Sequence, residues 1–177
     1  MTLILSGTDG LSDVDGSAAT PAIRGTDANT GIFFPAADTI AFAEGGVEVV
    51  RLDSSANLQF NSGYGSVATA YACRAWVNFN GTGTVAIRAS GNVSSITDNG
   101  TGDYTVNFTN ALPDTNYSAV GSSGFTSSGV EAGYVGFNRV GAGGAESAPT
   151  TTAVRVNSLA QSGSVSDQKY VNVSIFR

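Results

Sequence analysis

Between Thr2 and Phe60 the apolar residues come in short bursts separated by turn residues: Leu3 to Leu5, Ile32 to Phe34, Ile40 to Phe42, Val47 to Leu52 and Leu58 to Phe60. Each burst has the length of a strand, and none has the length of a helix. Gly7-Thr8-Asp9-Gly10, Asp15-Gly16, Asp27 to Gly31 and Gly45-Gly46 supply the turns, because Gly and Asn tolerate positive φ and Asp bonds its own backbone. Pro21 and Pro35 interrupt any central strand. Bursts this short do not close a compact core within one chain. Three chains wound together would bury Ile32, Phe34, Ile40, Phe42, Val49 and Leu52 along a shared axis. The expectation for residues 1–60 is therefore a short intertwined trimeric β stem.

Residues 61–70 are small and glycine-rich, with Tyr64 the one large side chain, and read as a linker. Beyond them the pattern changes. From Ala72 to Phe79 the residues Cys73, Ala75, Val77 and Phe79 alternate with Arg74, Trp76 and Asn78, the period of a half-buried strand. Cys73 falls on the apolar face and is expected to be a small buried hydrophobe. Asn92 to Thr97 and Tyr104 to Phe108 form a hairpin across Asp98 to Gly102. Val85 to Ala89, Tyr117 to Val120, Val130 to Val140, Val154 to Val156 and Tyr170 to Phe176 complete roughly seven or eight strands, the number from which sandwiches are built. The fold expected is all-β, with the stem followed by a β-sandwich terminal domain over residues 71–177.

Composition narrows the function. Only 12% of the residues are charged and 23 of the 177 are glycine, which suits strands and turns rather than long helices. The net charge of -6 removes the usual basis for binding nucleic acid, which needs clustered Lys and Arg. The acid lies mainly in residues 1–60, where eight Asp and Glu face only Arg24 and Arg51, whereas residues 61–177 carry six of each sign. Met1 to Leu5 has neither a basic flank nor a long apolar run, so no signal peptide and no membrane insertion are expected. One cysteine and no histidine leave neither an internal disulfide nor the usual zinc sets, and no cofactor or metal is expected. Without those staples, oligomerisation is the remaining way to stabilise the thin N-terminal half.

Candidate chemistry is sparse. Without histidine no Ser-His-Asp or Cys-His set exists. Paired carboxylates could cleave a glycan, but Asp98 and Asp103 flank a hairpin, and Asp9, Asp13 and Asp15 lie in an N-terminal loop where Asp forms turns. Asp13-Val14-Asp15-Gly16 looks like part of a calcium loop, yet Arg24 stands where the closing Glu belongs. The glycine-rich stretches lack the Lys-Ser/Thr of a phosphate loop. The remaining candidates are for binding. Trp76 lies on the polar side of its strand, placed for stacking on sugar or protein or for a subunit contact. Three irregular segments, Gly121 to Gly129, Gly141 to Thr152 and Ala160 to Lys169, offer recognition loops. Phe125 is their apolar tip, with Thr126, Glu146 and Gln161 beside it in the candidate surface.

Two stretches carry a resemblance. Thr30-Gly31-Ile32-Phe33-Phe34-Pro35-Ala36-Ala37-Asp38-Thr39-Ile40-Ala41-Phe42, running into Gly46 to Ser55 with Arg51-Leu52-Asp53-Ser54-Ser55, is similar to fibre-shaft segments of phage tail proteins, notably from marine and cyanobacterial hosts. Ala56 stands where those repeats carry glycine. Cys73 to Gly83, Val93 to Asp98 and Gly102 to Phe108 resemble the terminal domain of the same proteins. The resemblance covers roughly residues 25 to 120 and brings no catalytic residue. It implies a homotrimeric virion appendage, a short tail fibre made in the host cytoplasm and held by other virion proteins of the tail or baseplate, with a host surface glycan or protein as its target. A single copy of the shaft segment favours a short fibre or a decorating spike. A capsid decoration or cement protein is the competing expectation, and a glycan-cleaving tailspike a more distant one. The acidic N-terminal end is expected to be the attachment and the C-terminal loops the outward surface.

Overall fold

The computed structural model describes residues 4–6, 10–12, 14–126, 129–140 and 145–177, without the side chains of 4–6, 10–12, 126 and 129–132. The regular structure among them is entirely β, and no helix is long and apolar enough to cross a membrane. Contacts divide the chain into two units, residues 1–70 and 71–177.

In the first unit β1 (Ile4–Ser6) pairs with β2 (Gly10–Ser12). Then β3 (Ile23–Arg24), β4 (Gly31–Phe33), β5 (Ile40–Glu44), β6 (Val47–Leu52), β7 (Leu58–Phe60) and β8 (Ala68–Thr69) form a six-stranded antiparallel meander, each strand bonded to the next. Gly45 and Gly46 join β5 to β6 with φ of 58° and 80°, the two positive angles that a two-residue hairpin needs to match strand twist. Backbone pairing is thus met within one chain. Burial is not met. Phe33, Ala41 and Ala43, with Ala18 against them, make a small core on one face. The segment 61–70 is more than a linker: Thr69 pairs with Gln59, Ala68 pairs with Phe60, and the Ala70 N–H donates to the Leu58 carbonyl at 2.8 Å. Small residues conceal a strand there because an edge strand is specified by its partner rather than by its own side chains.

The second unit contains β9 (Cys73–Asn80), β10 (Ala86–Gly91), β11 (Val93–Gly100), β12 (Asp103–Phe108), β13 (Ser118–Thr126), β14 (Gly129–Phe137), β15 (Ala153–Ala160) and β16 (Tyr170–Phe176). All are antiparallel in one sheet of order β10-β9-β16-β13-β14-β15-β12-β11. The inward residues of β9 (Ala75, Val77, Phe79), β16 (Val171, Val173, Ile175), β12 (Tyr104, Val106, Phe108) and β15 (Val154, Val156) belong to one buried cluster. Phe79 meets Tyr104 edge to face at 5.1 Å across it. The two layers of the sandwich are therefore two halves of one sheet rolled over a common core.

The roll is closed by one residue. The outermost strands β10 and β11 are consecutive in the chain, with only Asn92 between them, at φ 55°. Asn92 Nδ2 donates to the carbonyls of Arg74 (3.1 Å) and Asn110 (3.2 Å), and its Oδ1 accepts from the Asn110 N–H at 2.8 Å. One side chain ties the β9 end of the sheet to the end beyond β12.

Two sequence expectations fail here. Cys73 is exposed, at the end of β9 beyond the core and beside a register shift opposite β16, with its thiol donating to the Ala75 carbonyl at 3.2 Å. The supposed loop 121–129 is largely strand: Gly121 to Thr126 continue β13, and β13 is bonded to β16 on one side and β14 on the other. Gly and Ser have low strand propensity, but ladders on both sides override it.

Replacing Asn92 by Ala removes three hydrogen bonds and is expected to destabilise the second unit by about 2 kcal/mol. Denaturant titration followed by the fluorescence of Trp76, the one tryptophan, measures it.

Candidate functional site

Two surfaces stand out. The first is the uncovered face of the six-stranded sheet. Cross-strand register places Ile23, Ile32, Phe42, Val50, Phe60 and Ala68 opposite one another from β3 to β8. A second row, Ile40, Leu52 and Leu58, runs beside it. With strands roughly 4.8 Å apart, six strands give the longer row a span of about 24 Å. Ile23, Ile40, Phe42, Leu52, Leu58 and Phe60 are all exposed, a contiguous apolar area of the kind that soluble surfaces avoid unless it is used.

Of the residues expected to form a stem core, Ile32, Ile40, Phe42 and Leu52 share this face. Phe34 joins them by lining an open groove with Ile40 and Leu52, its N–H held by the Asp15 carbonyl at 2.8 Å. Val49 does not belong to either row. It is the extra residue of a bulge, because β6 slips by one position against β5 between the pairs Phe42–Val50 and Ala43–Glu48. Ile23, Val50, Leu58 and Phe60 complete the face; the neighbouring bursts contained three of them, but only the register shows that they are aligned.

The opposite face carries the small core of Phe33, Ala41 and Ala43, with polar groups beside it. Arg51 makes a bidentate pair with Glu48 at 2.6 Å, and this partner holds the guanidinium pKa above its ordinary value. Asp53 organises the loop after β6. Its carboxylate accepts from the backbone N–H groups of Asn57 (2.9 Å) and Ser55 (3.0 Å) and from the Gln59 amide (2.8 Å). The Asn57 N–H, foremost among these donors, holds the Asp53 carboxyl below its ordinary value of 3.8. This is the Asp-Ser-Ser segment of the resemblance, and Ala56 in it sits at φ 60°.

The second surface is the outer face of β10, β9, β16 and β13. Its rows are Trp76 with Ser174 and Val120, then Asn78 with Asn172, Ser122 and Tyr134. The Asn78 amide donates to Asn172 Oδ1, and the Asn172 amide to Ser122 Oγ at 3.3 Å. Trp76 lies over Gly91: a β-carbon there would come within 2.4 Å of the indole nitrogen, so the ring rests on bare backbone and is 43% exposed. Arg88 stands over the Tyr170 ring at 4.6 Å from its centre and donates to the Lys169 carbonyl at 2.6 Å. Lys169 lies near the same ring at 5.8 Å, and Phe125 meets it edge to face, also at 5.8 Å.

Trp76 and Phe125 are therefore brought to one face. Phe125 is not a loop tip; it sits in the bulge between Gly124 and Thr126 at φ 64°, and its carbonyl accepts from the Lys169 N–H. Thr126 pairs with Gly129, and its side chain lies outside the described residues. Glu146 forms an isolated bridge with Arg139, and Gln161 follows the end of β15; both are exposed, and neither lies in a row with Trp76. Arg88, Tyr170, Asn78 and Asn172 escaped the sequence reading, because an amide ladder across three strands has no signature along the chain.

Of the acids considered for catalysis, Asp103 and Asp98 have structural partners. Asp103 is held by Arg155 through two contacts of 2.8 Å, and Asp98 accepts from the Gly100 N–H. Asp9, Asp13, Gly7-Thr8 and Gly141 to Gly144 lie outside the described residues. Among the described residues no Asp, Glu or Cys cluster fit for a metal ion occurs. Tyr104 is a strongly perturbed buried hydroxyl. Burial, and then its bond to Asp167 at 2.8 Å, push its pKa far up, so it stays protonated and serves as a brace.

The fold and these surfaces define an all-β protein of two units, one presenting an apolar sheet face and the other an aromatic and amide platform. No known protein family, curated protein or solved structure matches the chain.

Ala at positive φ costs roughly 1 kcal/mol against glycine, so Ala56→Gly is expected to slow amide exchange across β6 and β7 by about that free energy. For Asp53 the folded pKa lies below the unfolded one, so its contribution is full above the unfolded value and fades as pH falls through the folded one. Thermal melting of the first unit should hold steady down to the ordinary 3.8 and fall below it, with a smaller acid drop in Asp53→Asn.

Proposed function

We propose that the chain is a non-enzymatic structural protein of a phage virion, a short homotrimeric tail fibre whose first unit assembles copies and whose second unit meets the host surface. The observation that carries this reading is the apolar face running across β3 to β8. The segment that resembles fibre shafts, Thr30 to Ser55, is the same segment that displays Ile32, Ile40, Phe42, Val50 and Leu52 on that face. Among the described residues its buried core is Phe33, Ala41 and Ala43, so the larger share of its apolar surface is open to another copy. Burying a Leu, Ile or Phe side chain contributes about 1.5–3 kcal/mol, and each copy brings six exposed ones.

Assembly through faces leaves each meander intact. The short edge strands β3 and β8, of two residues each, offer little for edge pairing. Attachment to the virion falls to the acidic first unit, and the second unit, near charge balance, carries the binding platform.

Native mass measurement is expected to find three chains. Phe42→Asp with Leu52→Asp should yield monomers with an unchanged strand signal in circular dichroism, since both side chains are exposed in the single chain. A trimer that survives this pair of substitutions overturns the assembly face. Immunogold labelling should mark the tail, whereas labelling over the whole capsid would make the chain a cement protein instead.

A further inference from the structure

The outer face of the second unit is built from four kinds of group in a small area: a flat exposed indole, a ladder of amides, hydroxyls, and two cations. Trp76 and Asn78 are two residues apart on β9, about 6.8 Å, and Arg88 reaches to 3.4 Å from Asn78 Oδ1 and 3.3 Å from Asn80 Oδ1. The cations are the unexpected part. Among the described residues Arg51, Arg155 and Arg177 are engaged in ion pairs. Arg88 and Lys169 have no carboxylate partner there; the acceptors around Arg88 are amide and carbonyl oxygens. Two positive charges thus lie near one ring, beside neutral donors.

We propose that this face binds a carboxylated, anionic polysaccharide of the host surface, with a sugar ring stacked on Trp76, hydroxyls bonded to Asn78, Asn172 and Ser122, and a carboxylate held by Arg88 and Lys169. This rests on the reading that the second unit faces the host. The chemistry selects a glycan over other polymers. Nucleic acid needs many neutralised phosphates, and two cations on a chain of net charge -6 do not supply them. A protein partner is anchored by apolar side chains in desolvated pockets, whereas the centre of this face is Asn78, Asn172, Ser122 and Ser174. A flat ring bordered by planar amides presents an apolar plane and in-plane hydrogen bonding side by side, which matches the apolar face and equatorial hydroxyls of a pyranose. Arg88 is pre-set by its three acceptors and by the Tyr170 ring, so little entropy is lost when an anion arrives.

The test is affinity electrophoresis of the full-length protein in gels containing polygalacturonate, methyl-esterified polygalacturonate or polyglutamate. Retardation is expected with polygalacturonate, about tenfold weaker with the ester, and absent with polyglutamate. Arg88→Gln should weaken binding to polygalacturonate and leave the ester unaffected. Gly91→Ala, which drives a methyl into the seat of the indole, should weaken both about tenfold and shift Trp76 emission, with the trimer mass unchanged. Equal retardation by polyglutamate overturns the glycan in favour of an acidic protein. No retardation by polygalacturonate, with adhesion of the free protein to host cells retained, overturns the anionic glycan alone. Absence of adhesion by the wild-type protein overturns the reading on which it rests.

Discussion

A β-sheet has two faces, and each chain must either cover both or leave one to water or to a partner. This constraint organises both units. The second covers one face by rolling eight strands until its two edges meet at Asn92, which places Phe79 against Tyr104 and turns the other face outward. The first has a main sheet of six strands, several of them of two or three residues. They are too short to roll, and among the described residues Ala18 and a small cluster shield one side. The opposite side keeps Ile40, Phe42, Leu52, Leu58 and Phe60 exposed. The same physics yields a self-contained module in one half and an incomplete one in the other.

The polar residues follow from these two solutions. Where the apolar face is inward, as in the second unit, the outward face is free for chemistry, and Trp76, Asn78, Asn172 and Arg88 occupy it. Where the apolar face is outward, the polar groups act locally: Arg51 with Glu48, and Asp53 with the N–H groups of its own loop. Asp103 with Arg155 and Tyr104 with Asp167 likewise hold strands and a loop in place.

The sequence by itself determined the all-β class, the turn at Gly45-Gly46, the hairpin around Asp98 to Gly102 and the alternation of β9, because these depend on local φ preferences and on a period of two. It also carried the apolar identity of Ile32, Ile40, Phe42 and Leu52. The tertiary structure alone decided what depends on partners far along the chain. Gly121 to Thr126 became strand because two neighbours bond it, and Ala68-Thr69 became strand because β7 does. Val49 left its row through a one-residue slip in register. Cys73 lost its core position because β9 begins before the core does. The platform joins Trp76 and Asn78 to Asn172 and Ser122, with Asn78 and Asn172 lying 94 positions apart, and only hydrogen-bonded register sets such neighbours side by side.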